Sequence, residues 1–354
     1  YPGMFEKLGI DVTIVRGPDN TYKSAVEPFM RKDFSPENRE QMTSLLEGFW
    51  YDLSSDIETS RHLEEGTLDD LANRLAIRTT QDAVDAELLN DVLYEDELED
   101  LLERKLDGES PEFISLRDYI AKDQVSGIEG LLMSLEPEEV STSEHDGDLG
   151  GNLALIYAVG GIESGEGDAA TIGSETLAKA LKAARLADDV KAVVLRVNSP
   201  GGSALASDVI WRETVLLKET GKSFVVSMSD MAASGGYYIS CAADHIFANE
   251  TTITGSIGVF GMIPNLGGML EKHVGISFDE VSLHEHAGQP DGLFAPDEVA
   301  LEAINEKISV IYDEFTSRVA EGRGMSKEQV EEVARGRVWT GKDALEVGLV
   351  DEIG

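Results

Sequence analysis

The chain has 354 residues, 42% of them apolar, enough for two domains with a core each. Its 68 Asp and Glu against 29 Lys and Arg give a net charge of −39 spread along the whole length, which excludes nucleic acid and anionic membrane surfaces as partners of the surface at large. The excess reads as halophilic, since high salt would screen the self-repulsion, and the single cysteine, Cys241, excludes an intrachain disulfide and reads as a buried, inert thiol.

Leu8–Arg16 alternates and predicts a strand, followed by the polar turn Gly17-Pro18-Asp19-Asn20. Ser35 and Pro36 are the N-cap and N1 of a helix. Its apolar positions, Met42, Leu45, Leu46, Phe49 and Leu53, keep helical spacing. Leu68–Leu75, Asp82–Leu89 and the acidic Tyr94–Leu106 predict shorter helices. The polar, glycine-bearing Lys122–Gly151 predicts a linker.

From Asn152 the pattern becomes strand, helix, strand. Leu153–Val159 and Val190–Val197 predict strands on either side of an amphipathic helix, Ser174–Leu186. The turn Asn198–Ser203 leads into a helix, Ala204–Thr220. Phe224-Val225-Val226 opens a strand that ends in Ser229-Asp230. His245–Ala248, Ile253–Val259 and Ile276–Val281 predict further strands, Met269–His273 the end of a helix, and Pro296–Glu321 a long helix. Ser326-Lys327-Glu328-Gln329 is a capping box, and Thr340 caps a last short helix that stops at Gly348. Repeated β-α-β order predicts an α/β fold with a mostly parallel sheet. No apolar run reaches about 18 residues, so no transmembrane span is expected.

The chain also repeats itself. Phe34-Ser35-Pro36-Glu37 parallels Phe294-Ala295-Pro296-Asp297, and Thr79–Ala86 parallels Thr340–Val347, displaced by about 260 residues. Glu6–Ile10 similarly parallels Glu271–Ile276. Residues 1–90 therefore read as the back part of a first repeat, 91–151 as an acidic helical segment and linker, and 152–354 as a second repeat. The front of the first copy is expected upstream of Tyr1. The copies differ chemically: Lys23 falls opposite Leu283–His286, which contains no lysine.

Ser234 stands in a run of small residues, Ala232 to Gly236, between the Phe224 strand and the apolar Tyr237-Tyr238-Ile239. It is either a capping serine with glycines for close packing, or a nucleophile whose oxyanion adjacent amides could hold. A nucleophile needs a base. His62 and His145 sit in polar segments and His245 opens a strand. His284-Glu285-His286 reads as a surface loop, lacking the third ligand of a metal site. Lys23, flanked by Tyr22 and Ala25-Val26, is either a surface lysine or a buried neutral amine able to take a proton. Ser199-Pro200-Gly201-Gly202 is a second turn that could offer an amide to an oxyanion. It carries neither GxxxxGK[ST] nor GxGxxG, so nucleotide binding is weakly supported.

Three motifs occur together and in order: Asn198-Ser199-Pro200-Gly201-Gly202, Met231-Ala232-Ala233-Ser234-Gly235-Gly236-Tyr237 and Thr254-Gly255-Ser256-Ile257-Gly258. With them the chain resembles, over nearly its whole length, the long form of the signal peptide peptidase A family, also called protease IV. The resemblance implies an α/β tandem repeat of Clp-protease/crotonase-like (spiral βαβ) domains, the first copy truncated at its N-terminus. It implies a serine–lysine dyad, with Ser234 as nucleophile and Lys23 as base. Gly235 and Gly202 match the oxyanion amides, and Ser256 a serine that orients the lysine. The implied substrates are cleaved signal peptides and other short apolar peptides, with no cofactor and no metal. The implied working form is a homotetramer on the periplasmic side of the inner membrane, held by an anchor outside this sequence. Two alternatives stay open: a related Ser-Lys protease acting on a membrane partner, and an inactive peptide-binding scaffold. An acyl-CoA enzyme of the same fold would not need Ser234 and Lys23 together.

Overall fold

The structure is a computed structural model. It describes residues 1–107, 109, 111, 113 and 152–354, less positions 18, 169, 280–283, 285 and 287–289. The linker expected at Lys122–Gly151 lies outside the described residues.

In chain order the elements are α1 (Pro2–Leu8), β1 (Asp11–Val15), a 3-10 turn (Ser24–Val26), α2 (Glu27–Met30), α3 (Pro36–Arg61), α4 (Thr67–Asn73), α5 (Thr80–Asp85) and α6 (Glu95–Lys105). There follow β2 (Leu153–Val159), β3 (Gly161–Glu163), β4 (Thr171–Gly173), α7 (Ser174–Leu186), β5 (Ala192–Ser199), α8 (Ala204–Glu219), β6 (Ser223–Ala233), α9 (Gly235–Tyr238), β7 (His245–Ala248) and β8 (Ile253–Gly255). The chain closes with β9 (Gly261–Asn265), α10 (Gly267–Val274), α11 (Glu298–Arg323), α12 (Lys327–Val333), β10 (Val338–Thr340), α13 (Gly341–Glu346) and β11 (Glu352–Ile353). Contacts divide the chain into two compact units, Tyr1–Asp52 with Asp148–Gly354, and Leu53–Gly147.

The larger unit is built on a seven-stranded sheet in the order β10-β8-β6-β5-β2, with β7 on β6 and β11 on β7. The β2–β5, β5–β6, β6–β7, β6–β8 and β7–β11 pairs are parallel. The fold is thus mixed α/β with a parallel core, as the β-α-β pattern predicts. Period-two burial sends Val193, Leu195 and Val197 of β5 and Phe224, Val226 and Met228 of β6 to one face, all at 0% exposure. They meet Leu177 and Leu181 of α7 and Ile210 and Leu217 of α8 in one core. Burial of this kind supplies the main stabilising term, about 1.5–3 kcal/mol for each such side chain.

β6 is longer than its sequence predicts, running past Asp230 to Ala233. It leaves β7 after Ser227 and takes β8 as a new partner, Met231↔Ile253 to Ala233↔Gly255. The strand expected over Ile253–Val259 stops at Gly255, because Gly255 and Ser256 both have positive φ (73° and 52°), which an extended chain does not tolerate. The strand expected over Ile276–Val281 is not formed in its described part: residues 276–279 are irregular and exposed. Its counterpart in the first repeat, β1, does form a strand, because β9 pairs with it antiparallel from Asp11↔Asn265 to Val15↔Gly261.

The repeat is visible in the elements. α3 and α11 are both 26 residues long, α4 and α12 seven, α5 and α13 six. The left-handed breaks at His62, Leu75 and Glu87 recur at Gly324, Arg335 and Gly348. In the smaller unit the buried Glu58 accepts from the Gly66 and Leu68 amides and ties α4 to the helix before it.

Truncating the core tests this packing: Phe224→Ala is expected to lower stability by about 3–5 kcal/mol, read from the midpoint of urea denaturation at unchanged slope.

Candidate active site

Lys23 lies in the short segment between β1 and α2, which several long-range contacts hold in place. The Tyr22 amide donates to Arg335 O (3.0 Å), and Asn20 Oδ1 accepts from the Val259 amide (2.9 Å). Gly336, at φ 82°, comes so close that a Cβ there would stand 2.6 Å from Lys23 Cβ, so only glycine fits. Arg337 covers the Tyr22 ring at 5.3 Å and pairs with Glu40. Lys23 is left 4% exposed.

Ser234 joins β6 to α9 with φ 55° and ψ −118°. A non-glycine residue held there costs on the order of 1–3 kcal/mol, which the flanking structure must offset. The Ser234 amide donates to Gly255 O at 2.9 Å, and the Tyr238 amide donates to Ser234 O at 2.9 Å. Both sides of the turn are therefore anchored, one to β8 and one to the following helix. Gly201, at φ 95°, abuts the turn so closely that a Cβ would lie 2.8 Å from Ser234 Cβ. The Ser199 hydroxyl, fully buried, donates to Gly160 O (2.6 Å) and accepts from the Gly201 amide (3.1 Å), which sets this second turn.

The three side chains singled out by sequence meet. Lys23 Nζ stands 3.1 Å from Ser234 Oγ, 2.9 Å from Ser256 Oγ and 2.7 Å from Ser256 O. A neutral amine has two N–H groups and one lone pair. The Ser256 carbonyl can only accept, so it takes one N–H, and the Ser256 hydroxyl can take the other. The lone pair is then left for the Ser234 hydroxyl. Burial holds the Lys23 pKa down, from the ordinary 10.5 to about 7. Glu27, Glu40, Arg335 and Arg337 surround the segment, yet burial is the sole cause of the shift.

Gly202 and Gly235 line the same cavity of about 240 Å³ as Lys23 and Ser234. Among the described residues neither glycine N–H donates to another atom. The far wall is apolar, made by Val259, Phe260, Ile308, Ile311 and Phe315. These wall residues, like Asn20 and Gly336, were not singled out by sequence reasoning. Val259 and Phe260 are adjacent and Ile308, Ile311 and Phe315 share one face of α11, but neither group carries a motif that marks a cavity wall. Cys241 is buried, and its thiol is pushed up to about 12 by burial. His286 is exposed and pairs with Asp297 at 2.8 Å. Among the described residues no three His, Cys, Asp or Glu side chains group to hold a metal ion, and no helix is long and apolar enough to cross a membrane.

A hydroxyl at a strained strand–helix turn, a buried amine beside it and two glycine amides lining the same cavity form an arrangement that can support nucleophilic attack by the hydroxyl. Comparison with known proteins places the chain in a family. The profile of peptidase family S49 matches residues 1–107 and 217–354, and the chain belongs to that family. Lys23 lies in the first matched stretch, Ser234 and Ser256 in the second. The chain is 37% identical over 366 residues to Protease 4 of Haemophilus influenzae, covering 100% of this chain and 56% of that protein. It is 34% identical over 359 residues to the chloroplastic serine protease SPPA of Arabidopsis thaliana, covering 99% and 50%. The chain thus spans about half the length of the curated relatives it matches. Among solved structures, a point mutant of ClpP1 from Listeria monocytogenes is 20% identical, with a TM-score of 0.37 over 57% of this chain and 91% of that one.

The buried amine also makes a stability prediction. Between about pH 7 and 10.5 the unfolded chain holds a proton on Lys23 that the folded chain has released, so stability rises with pH across that window and carries the full penalty below it. Denaturation of wild type and Lys23→Met at pH 7 and pH 10 should show the wild type gaining on the variant as pH rises. Parallel pH profiles would mean that the amine titrates normally.

Proposed function

We propose that this chain is a serine endopeptidase working through a Ser234–Lys23 dyad. The observation that carries the reading is the dehydrated Lys23 amine 3.1 Å from Ser234 Oγ. Neutral Lys23 takes the Ser234 proton as Oγ attacks a peptide carbonyl, and the Gly235 and Gly202 amides hold the oxyanion. The resulting ammonium gives its proton to the departing amine, and the neutral base then activates water for release of the acyl group. Ser256 keeps the amine aimed through both of its oxygens.

The apolar wall of the cavity favours an apolar side chain next to the scissile bond. An Enterococcus faecium relative, 41% identical over 165 residues, is named a putative signal peptide peptidase SppA. Both support cleaved signal peptides and other short apolar peptides as the substrate class. The tetramer and the membrane anchor implied by the resemblance complete this reading.

Ser234→Ala and Lys23→Met are each expected to lower peptide hydrolysis by about 10⁴-fold or more, assayed at high salt. A serine-directed covalent probe should label Ser234, found by mass spectrometry of the digest. Near-normal turnover by Lys23→Met would overturn the dyad. The wild-type rate should rise with pH through about 7, where Lys23 loses its proton.

A further inference from the structure

Resting on the dyad reading, we propose that Gln41 is a positioning residue, one that sets the reach of the Lys23 amine to Ser234. Gln41 lies on α3 at 1% exposure and does not line the cavity. Its Nε2 stands 3.1 Å from the Tyr22 carbonyl and 2.7 Å from Ser24 Oγ, the two residues that flank Lys23. Its Oε1 accepts from the Val338 amide of β10 at 3.3 Å.

The other end of that link leads to the nucleophile. Val338 pairs with Gly255 across β10 and β8. Gly255 accepts the Ser234 amide and immediately precedes Ser256. One side-chain amide therefore splints the lysine-bearing segment to the strand pair that holds both serines. Tyr22 and Ser24 bracket the lysine, so the splint restrains the chain on both sides of the base.

The amide cannot turn over without loss. Glu27, itself buried, accepts from Asn38 Nδ2 at 3.0 Å, which directs Asn38 Oδ1 towards Gln41 Nε2 at 3.1 Å. With Asn38 presenting an acceptor and Val338 a donor, only one orientation of the Gln41 amide satisfies both. Glu27 also accepts from the Ser35 amide at 3.2 Å and from the Ser35 hydroxyl. The Asn38–Gln41 face of α3 is thereby tied to the segment that follows Lys23.

An apolar side chain of the same length would fill the space but leave Tyr22, Ser24 and Val338 without their partner. The Lys23 segment would relax, the amine would draw back from Ser234, and water would reach it. The charged groups facing the segment from the elements around it include Arg16, Glu27, Glu37, Glu40, Arg335 and Arg337, and the substitution changes none of them.

The test is the pH–rate profile of peptide hydrolysis by Gln41→Met and Ser24→Ala beside wild type and Lys23→Met, with active sites counted by the serine-directed probe. Gln41→Met should lose about 10-fold or more in kcat per labelled site, with KM within about two-fold. Its acid limb should move up by about one pH unit as water regains the amine. Ser24→Ala, which removes one contact, should move both readings less and in the same direction. A wild-type limb and wild-type kcat per labelled site in Gln41→Met would overturn the inference, since a role in folding alone changes only the number of active sites. If Gln41→Met does not fold, an unmoved limb in Ser24→Ala overturns it. Failure of the dyad itself looks different: Lys23→Met would then go on hydrolysing peptide.

Discussion

A lysine amine stripped of water, with three oxygen atoms as its neighbours, is the condition on which the rest of this site depends. An ammonium in that position would be poorly solvated, and a carboxylate beside it would restore the charge. The shell around Lys23 offers two hydroxyls and one carbonyl instead. That set suits the uncharged form, which can donate twice and accept once. Burial, and not an opposing charge, holds the amine's pKa down to about 7.

Meeting that condition requires chain segments that share no local structure. Ser234 directly follows β6, and Ser256 directly follows β8. The pairing of these strands, and the bond from the Ser234 amide to Gly255, fix the two serines together. The lysine arrives from 211 residues away in the chain, clamped by the Arg335–Val338 segment and by α3. Positive φ at both Ser234 and Ser256 marks where backbone strain is held by surrounding contacts. Gly336, also at positive φ, lies so close to the Lys23 backbone that no side chain fits there.

The duplicated elements have diverged in use. α3 and α11 have equal length and similar flanking breaks. α3 presents Glu40 and Gln41 to the segment that bears the lysine, whereas α11 presents Ile308, Ile311 and Phe315 to the cavity. Elements of matching length thus serve different surroundings, the one beside Lys23 and the other beside the cavity that Ser234 lines.

Much of the fold could be read directly from residues. The apolar run Val190–Val197 and the small-residue turn at Ala232–Gly236 are local signals, as are the caps at Ser35, Ser326 and Thr340, and the structure contains each of them. Strand ends were less legible. Ile276–Val281 has the right pattern, but its described part, 276–279, is irregular and exposed, and Ile253–Val259 is cut short by two positive-φ residues of which only one is glycine. Composition and local pattern by themselves indicated an acidic α/β chain with an internal repeat and a serine in a small-residue turn, and it was the resemblance of three motifs to a known family that brought Lys23 and Ser256 in beside Ser234. Only the tertiary structure decided that Lys23 is buried, which oxygens surround it, and that Gln41, Asn20 and Gly336 pack against its segment. Dehydration and hydrogen-bond distance arise between residues remote in sequence, and no local pattern encodes them.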